Sequence, residues 1–231
     1  MARLERRSLS DYGLPLRRAS VAESWLGSLW GFFALTGLLT TIWLGHGFSF
    51  GGVALSGANL VYFAIAWAVA YVLVGFFEEF LFRGYTLYTL ATGIGFWPAA
   101  ILLSAAFGAV HIHNPGEDWA GALSAFSIGL FWCFTVRRTG SLWFAIGLHA
   151  SWDYSESFIY SVPDSGLTAT GHLLNSSLHG PRWLTGGSVG PEGGVLIFVI
   201  IIMMSAAFDR LYRDVKFPAV RASPNTGLSN P

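Results

Sequence analysis

Three short stretches of the chain carry the residues best suited to chemistry. They read GFFEEFLFRG at 75–84, FGAVH at 107–111 and HASWD at 149–153. Between them they supply three carboxylates, two imidazoles and a guanidinium group. Carboxylates and imidazoles are the usual general acids and bases of enzymes, and both also bind zinc. The three stretches are therefore typical of acid–base chemistry or of a metal site.

These charged residues lie within strongly apolar sequence. No Asp, Glu, Lys or Arg occurs in the 54 residues from Ser24 to Phe77, directly before the first glutamate. Hydrophobic residues make up 53% of the chain and charged residues 11%, against roughly 25% charged in an average soluble domain. The composition predicts a polytopic, integral membrane protein. An ionised side chain at mid-bilayer costs about 2.5–3.5 kcal/mol on insertion scales, so each one needs a partner or a function.

Six apolar stretches have the length expected of membrane helices, about 20 residues for a hydrocarbon core of about 30 Å. They fall near 25–45, 62–90, 98–113, 119–136, 141–160 and 194–212. We therefore expect an all-α fold in which about six transmembrane helices are bundled around a polar active-site cavity. The single cysteine, Cys133, excludes a disulfide or a multi-cysteine metal site within one chain.

The basic residues predict how the chain is oriented. They cluster at 3–18, at Arg137 and Arg138, and at 210–221, while the connections predicted on the opposite side contain only Arg182. Six crossings place every basic cluster on the cytoplasmic side, as the positive-inside rule requires. The clusters thus act as orientation signals, and we expect no nucleic acid as a partner.

This topology divides the chain into three parts. We expect a cytoplasmic basic arm at 1–24, a membrane domain at 25–212 and a cytoplasmic tail at 213–231. The Gly-, Ser- and Pro-rich segment at 161–193 is predicted to be an irregular exterior loop. A short chain with positive-inside arginines is expected in the plasma membrane of a bacterium.

Helical spacing assigns the charged residues to faces. His149 and Asp153 are four residues apart and share a helix face, and Glu79 and Arg83 do the same. Glu78 points about 100° away from Glu79 around the helix axis, so the two glutamates cannot have the same task. We expect Glu79 to neutralise Arg83 and Glu78 to face the cavity.

Depth along the predicted helices brings the chemistry together. At about 1.5 Å per residue, Glu78, His111, His149 and Asp153 lie roughly 12–20 Å from the cytoplasmic ends of their helices. Three different helices would therefore deliver these four side chains to one layer of the membrane domain.

The stretches EEFLFR (78–83), FGAVH (107–111) and HASWD (149–153) resemble the EExxxR, FxxxH and HxxxN/D motifs of the CPBP intramembrane proteases. That family includes the type II CAAX prenyl endopeptidases and the Abi proteins linked to bacteriocin processing and immunity. The resemblance implies a helical core around a water-filled cavity. It also implies hydrolysis of a peptide bond in or near the membrane, without a cofactor.

The resemblance also implies roles for individual residues. Glu78 and His111 would activate a water, and His149 with Asp153 would stabilise the tetrahedral oxyanion. From its position one turn before His111, we also expect Phe107 to form a wall of the cavity, and from their spacing we expect Glu79 and Arg83 to be a supporting pair. The implied partners are membrane lipid and a peptide or membrane-protein substrate, prenylated or not.

Two other functions stay open at the level of sequence. Glu78, His111 and His149 offer the oxygen and nitrogen ligands of a zinc-dependent protease, although the chain has no HExxH motif. A transporter or a bacteriocin-immunity-type binding protein would use the same polar residues without catalysis, because polar clusters in membranes also mark ion and proton pathways.

Overall fold

The structure is a computed structural model that describes residues 8–16 and 18–217. Its α-helices are α1 (Arg18–Leu44), α2 (Gly57–Glu79), α3 (Thr86–Ile94), α4 (Phe96–His111), α5 (Trp119–Thr139), α6 (Trp143–Asp153), α7 (Arg182–Thr185) and α8 (Leu196–Leu211). Two π-helical segments, Phe80–Tyr85 and Tyr154–Ile159, continue α2 and α6. Single 3-10 turns lie at Leu9–Tyr12 and Pro191–Gly193. The strands are β1 (Phe48–Ser49) and β2 (Ser177–Leu178).

The all-α membrane fold is confirmed. About 70% of the chain is helical, and each of the six apolar stretches contains helix. Three helical segments are long and apolar enough to cross a membrane, namely Ser20–Leu44, Gly57–Ile94 and Trp119–Thr139. The other three stretches hold shorter helices of 16, 11 and 16 residues. The count of six crossings and the cytoplasmic placement of both termini stay predictions.

Helices α1 and α6 form the most extensive helix contact of the described residues. Glycines make this close approach possible, since a Cβ at Gly27 or Gly147 would overlap backbone of the facing helix. Across the same contact, Ser28 donates its hydroxyl hydrogen to the carbonyl of Gly147 at 3.2 Å. Small residues of this kind are the usual means of packing membrane helices closely. The contact fixes α6, which carries His149 and Asp153.

Helix α2 presents most of its surface outward. Only 6% of an apolar 18-residue stretch of this helical segment is buried inside the protein. Large apolar side chains such as Val61, Ile65 and Phe77 are exposed. Lipid is the natural contact for such a surface. The polar end of α2 turns inward instead, because Glu79 and Arg83 are both fully buried.

The segment at 161–193 folds back over the bundle. Its strand β2 pairs with β1 in antiparallel register, with Phe48 opposite Leu178. A second bridge joins Val53 to Leu174, so the segment is fastened to the connection between α1 and α2.

Parts of the predicted arm and tail lie outside the described residues. These are residues 1–7 and 17 of the arm predicted at 1–24, and residues 218–231 of the tail predicted at 213–231.

Candidate active site

The Glu79–Arg83 pair lies where α2 passes into a π-helical segment. Arg83 donates from Nη1 to Oε1 of Glu79 at 3.0 Å, and neither side chain has any exposed surface. At Gly84 the backbone leaves helical geometry, and a side chain there would collide with Phe80 and Leu142. Segments of π-helix are frequent at functional sites. The predicted pair is thus present, on a wider turn than a plain α-helix provides.

His149 is surrounded by carboxylates. Its Nδ1 donates to Oε1 of Glu79 at 3.0 Å, and its Nε2 lies 3.4 Å from Oδ2 of Asp153 and 3.8 Å from Oε2 of Glu78. Carboxylates only accept hydrogen bonds, and a histidine donates from both nitrogens only as the imidazolium. Glu79 therefore accepts from two residues, Arg83 and His149, rather than from the one that helical spacing predicts. Arg83, Glu79 and His149 are called the helix-side group below.

The two glutamates of the pair differ in accessibility. The side chain of Glu78 is 28% exposed, whereas that of Glu79 has no exposed surface. Water or a substrate can reach Glu78 alone. The structure thus separates the two carboxylates in the way that their 100° offset predicts.

His111 lies at the end of α4, and its ring is fixed by its own helix. Nδ1 contacts the carbonyl oxygen of Phe107 at 2.7 Å. Because a carbonyl accepts, Nδ1 carries the hydrogen, and in the neutral ring Nε2 is left free to accept a proton or bind a metal. Phe107 lies between the two histidines, with ring centroids 4.4 Å from His111 and 6.3 Å from His149.

Trp132 completes the surroundings of the helix-side group. Its ring stacks on that of His149 with centroids 4.3 Å apart and planes 21° apart. The guanidinium carbon of Arg83 lies 5.0 Å from the centroid of Trp132 and 4.1 Å from that of Phe107. The sequence analysis did not single out Trp132 and missed this contact. Only the recurrence of cationic and aromatic residues in separate helices could have pointed to it.

One cavity of about 410 Å³ joins the candidate residues. Glu78, His111, His149 and Asp153 all line it, as does Phe107. Much of the remaining wall is apolar and comes from α2, α4 and α5. The polar cavity expected from the sequence is therefore present, and the four residues share it.

The segment at 161–193, predicted to be exterior and called the exterior segment below, supplies part of the cavity wall, which the sequence did not reveal. Asp164, Ser165, Leu167 and Glu192 line the cavity from this side. Glu192 accepts a hydrogen bond from Nε1 of Trp152 at 2.9 Å. The spacing of the loop residues does not indicate that the segment contacts the cavity. The hydrogen bond between Trp152 and Glu192 spans 40 residues of sequence and depends on tertiary folding.

A second group of acids lies on this side of the cavity. Ligand oxygens of Glu156, Asp164 and Glu192 all lie within 4.8 Å of one another. Glu156 belongs to the π-helical segment that follows α6, and the other two belong to the exterior segment. These three residues are called the loop-side acids below.

The electrostatics outside the membrane helices reflect this concentration of acids. Burial raises the pKa of Asp164 well above its ordinary value, and the charges of Asp153 and Glu192 add to the effect. Burial likewise raises the pKa of Glu117 to about 7, with a contribution from Glu192. Negative charge is therefore unfavourable at the exterior side of the cavity.

The zinc alternative depends on whether Glu78, His111 and His149 converge. In the described part of the chain, the three side chains whose ligand atoms lie close enough to hold one metal ion are the loop-side acids. Glu78, His111 and His149 do not form such a group. His149 also has its Nδ1 on Glu79 and its Nε2 towards Asp153. This arrangement suits a hydrogen-bonding histidine better than a metal ligand.

The fold and the site together define an all-α integral membrane protein with a cavity of carboxylates and imidazoles. Residues 60–155 match the model of the family described as type II CAAX prenyl endopeptidase Rce1-like. The match covers less than half of the chain but contains all three motifs. It confirms the resemblance to the CPBP and CAAX proteases. No curated protein and no solved structure matches.

The family match supports a CAAX-type intramembrane protease in general. Its members are peptide-bond hydrolases that act on peptide or prenylated protein substrates in membranes. The catalytic subclass, the substrate of this chain and its orientation in the membrane go beyond the match.

Proposed function

We propose that this protein is a glutamic-type intramembrane endopeptidase that uses no metal in catalysis. The observation that carries the proposal is the single cavity that contains accessible Glu78 together with His111 and His149. The division between Glu78 and Glu79 supports it further. One carboxylate is free to take part in chemistry, while the other holds Arg83 and His149 in place.

The first step is attack by water on the scissile carbonyl. Glu78 takes one proton from the water, and Nε2 of His111 accepts a hydrogen bond from it and orients it. The oxygen of the water then bonds to the carbonyl carbon, and the carbonyl oxygen becomes an oxyanion. General-base assistance of this kind contributes about 10²- to 10⁴-fold to a rate.

His149 stabilises the oxyanion in this mechanism. Its Nε2–H is the donor, and Glu79 holds the ring through Nδ1 at 3.0 Å. Asp153 lies 3.4 Å from Nε2 in the absence of substrate. The oxyanion then takes its place as acceptor of the Nε2 hydrogen, and Asp153 remains as the counter-charge that holds His149 as a charged donor. Donors that are fixed before the reaction are the most effective means of stabilising such an intermediate.

Collapse of the intermediate breaks the C–N bond. Glu78 returns its proton to the leaving amine, which departs neutral, and the new carboxyl group remains on the other fragment. Glu78 is then ionised again, so the cycle needs no other reactant than water.

The substrate is proposed to be a peptide or a membrane-protein segment. An extended apolar wall beside the polar residues fits a chain that reaches the cavity from lipid, and an attached prenyl group would find the same wall. Membrane lipid is the second partner, because α2 exposes its apolar side chains.

Cleavage of a reporter-peptide library, with some peptides prenylated, tests the proposal on purified protein in detergent. We expect Glu78→Gln to lower kcat/KM by at least about 10²-fold. Asp214→Asn, at an exposed acid outside the cavity, is the matched control and should leave cleavage unchanged. Each reaction is repeated with a chelator selective for zinc, which should have no effect.

Other outcomes distinguish the alternatives. Activity lost to the zinc chelator and restored by zinc would replace the proposal with a zinc-dependent protease. Equal background from wild type and Glu78→Gln across the library would contradict the protease and favour a transporter or an immunity-type binding protein.

A further inference from the structure

The loop-side acids join two separate parts of the fold. Glu156 follows α6 directly, while Asp164 and Glu192 come from the two ends of the exterior segment. Their ligand oxygens lie within 4.8 Å of one another. Three carboxylates at this separation repel one another unless positive charge or protons lie between them.

Glu156 provides an independent observation. Its side chain is fully buried, and within residues 8–16 and 18–217 no donor has hydrogen-bonding geometry towards either carboxylate oxygen. The indole of Trp152, the nearby donor, is directed to Glu192 at 2.9 Å. Buried polar atoms are almost always satisfied, and leaving a carboxylate without any partner is costly. Both oxygens of Glu156 therefore need a partner that the described residues do not supply.

Positive side chains do not fill this need. In residues 8–16 and 18–217, the ion pairs of arginine involve Glu79, Asp209 and Asp118, and none involves a loop-side acid.

The other two acids are held in position by neighbours. Asp164 accepts from the hydroxyl of Ser157 at 3.1 Å. Glu192 accepts from the backbone N–H and the hydroxyl of Ser165 at 3.2 and 2.7 Å. Outer hydrogen bonds of this kind orient ligands around a metal. Oε2 of Glu192 is occupied by both Ser165 donors, whereas Oε1 of Glu192 and Oδ2 of Asp164 each accept one hydrogen bond and keep a second lone pair for an ion.

We propose that Glu156, Asp164 and Glu192 together bind one hard divalent cation. A set made of oxygen alone suits Ca²⁺, Mg²⁺ or Mn²⁺ and lacks the nitrogen and sulfur that zinc prefers. The cation lies apart from the Glu78–His111 chemistry and takes no part in it. It fastens both ends of the exterior segment to the helix that carries His149, and so keeps the cavity wall closed on this side.

Terbium luminescence provides a direct binding assay, because Trp152 lies next to Glu192 and can transfer its excitation to a bound Tb³⁺. The full-length protein is purified in detergent, stripped with chelator and titrated with Tb³⁺. Competition with Ca²⁺, Mg²⁺ and Mn²⁺ then identifies the preferred ion. We expect saturation at one ion per chain and displacement by at least one of the three.

Substitutions locate the site. Glu156→Gln should weaken the binding at least tenfold, and Asp164→Asn should do the same, while Asp214→Asn should leave it unchanged. Glu78→Gln should also leave it unchanged, although that variant is expected to be inactive in cleavage. Failure of the cation site and failure of the protease mechanism are therefore distinguishable.

Several results would overturn the proposal. One is the absence of saturable binding by wild type up to about 1 mM of each ion, which is the concentration at which the weakest natural calcium sites bind. Another is binding that stays unchanged in both Glu156→Gln and Asp164→Asn. Loss of binding in His111→Ala with the loop-side acids intact would also refute it. Circular dichroism confirms that each variant is folded, and Glu192→Gln replaces any variant that is not.

Discussion

The helix-side group reaches the cavity through His149 and the loop-side acids reach it through Asp164 and Glu192, but the two groups neutralise their carboxylates differently. Glu79 is fully buried and accepts from both Arg83 and His149. Glu156 is equally buried and accepts from no donor. In the first group the protein supplies its own cations within the membrane helices. In the second, we propose that the cation comes from solution.

This difference fits the position of each group. A charge inside the bundle must keep its partner at all times, because nothing in lipid can replace it. The loop-side acids lie partly on a segment outside the predicted spans, where ions in water can reach them. The side chains of Arg83 and His149 therefore suit the site inside the bundle, and an exchangeable cation suits the loop-side acids.

The largest expected effect comes from breaking the helix-side group. Arg83→Met leaves Glu79 buried without its guanidinium partner, and removing one member of a buried pair costs about 3–5 kcal/mol. Thermal unfolding followed by circular dichroism in detergent measures the loss. Arg138→Met is the matched control, because its partner Asp209 is 59% exposed and such pairs contribute about 0–1 kcal/mol. Equal destabilisation in both variants would refute the distinction.

Asp153 lies between the two groups, and Asp153→Asn assigns it to one of them. If it holds His149 as a charged donor, its loss should lower kcat by about 10- to 100-fold, the range of a hydrogen bond to a charged group. The affinity for the cation should fall much less than in Asp164→Asn, because the nearby charge of Asp153 acts on Asp164 but Asp153 is not one of the three ligands. Steady-state cleavage kinetics and terbium titration of the same protein give both readings. Full activity of Asp153→Asn would show that His149 needs no charged partner.

The smallest expected effect comes from replacing a glutamate by glutamine in the loop-side acids, and the same replacement in the helix-side group serves as the comparison. In the presence of chelator, Glu156→Gln removes a repelling charge and adds an amide donor to its acidic neighbours. We expect a gain of roughly 1 kcal/mol, which raises Tm by about 2–4 °C in a protein of this size. Glu79→Gln should instead lower Tm, because Arg83 loses its counter-charge. A fall in Tm for both variants would mean that the loop-side acids are stabilised without a cation.

The sequence predicted most of the membrane-embedded part of the site. Charged residues in apolar helices are rare and follow helical spacing, so the Glu79–Arg83 pair and the convergence of Glu78 and His149 could be inferred from composition and periodicity. The two π-helical segments could not, because they depend on local packing, such as the crowding around Gly84. The second role of Glu79 as acceptor from His149 was missed for the same reason, since helical spacing gives contacts only within one helix.

The exterior side of the cavity was largely beyond sequence reasoning. Asp164 and Glu192 occur in a loop rich in glycine and serine, where no periodicity gives the direction of a side chain. Glu156 follows HASWD by three residues, within the apolar stretch at 141–160, but the sequence analysis did not single it out. Only the tertiary fold brings these residues together.

The four-residue separation of Glu79 and Arg83 bears on the order in which the protein is made. Both residues leave the ribosome almost together, whereas His149 follows 70 residues after Glu79. The ion pair can therefore form while α2 enters the bilayer, before its later neighbours have been synthesised. Glu192 emerges later still, so Glu78, the proposed general base, enters the membrane well before the cavity around it is complete.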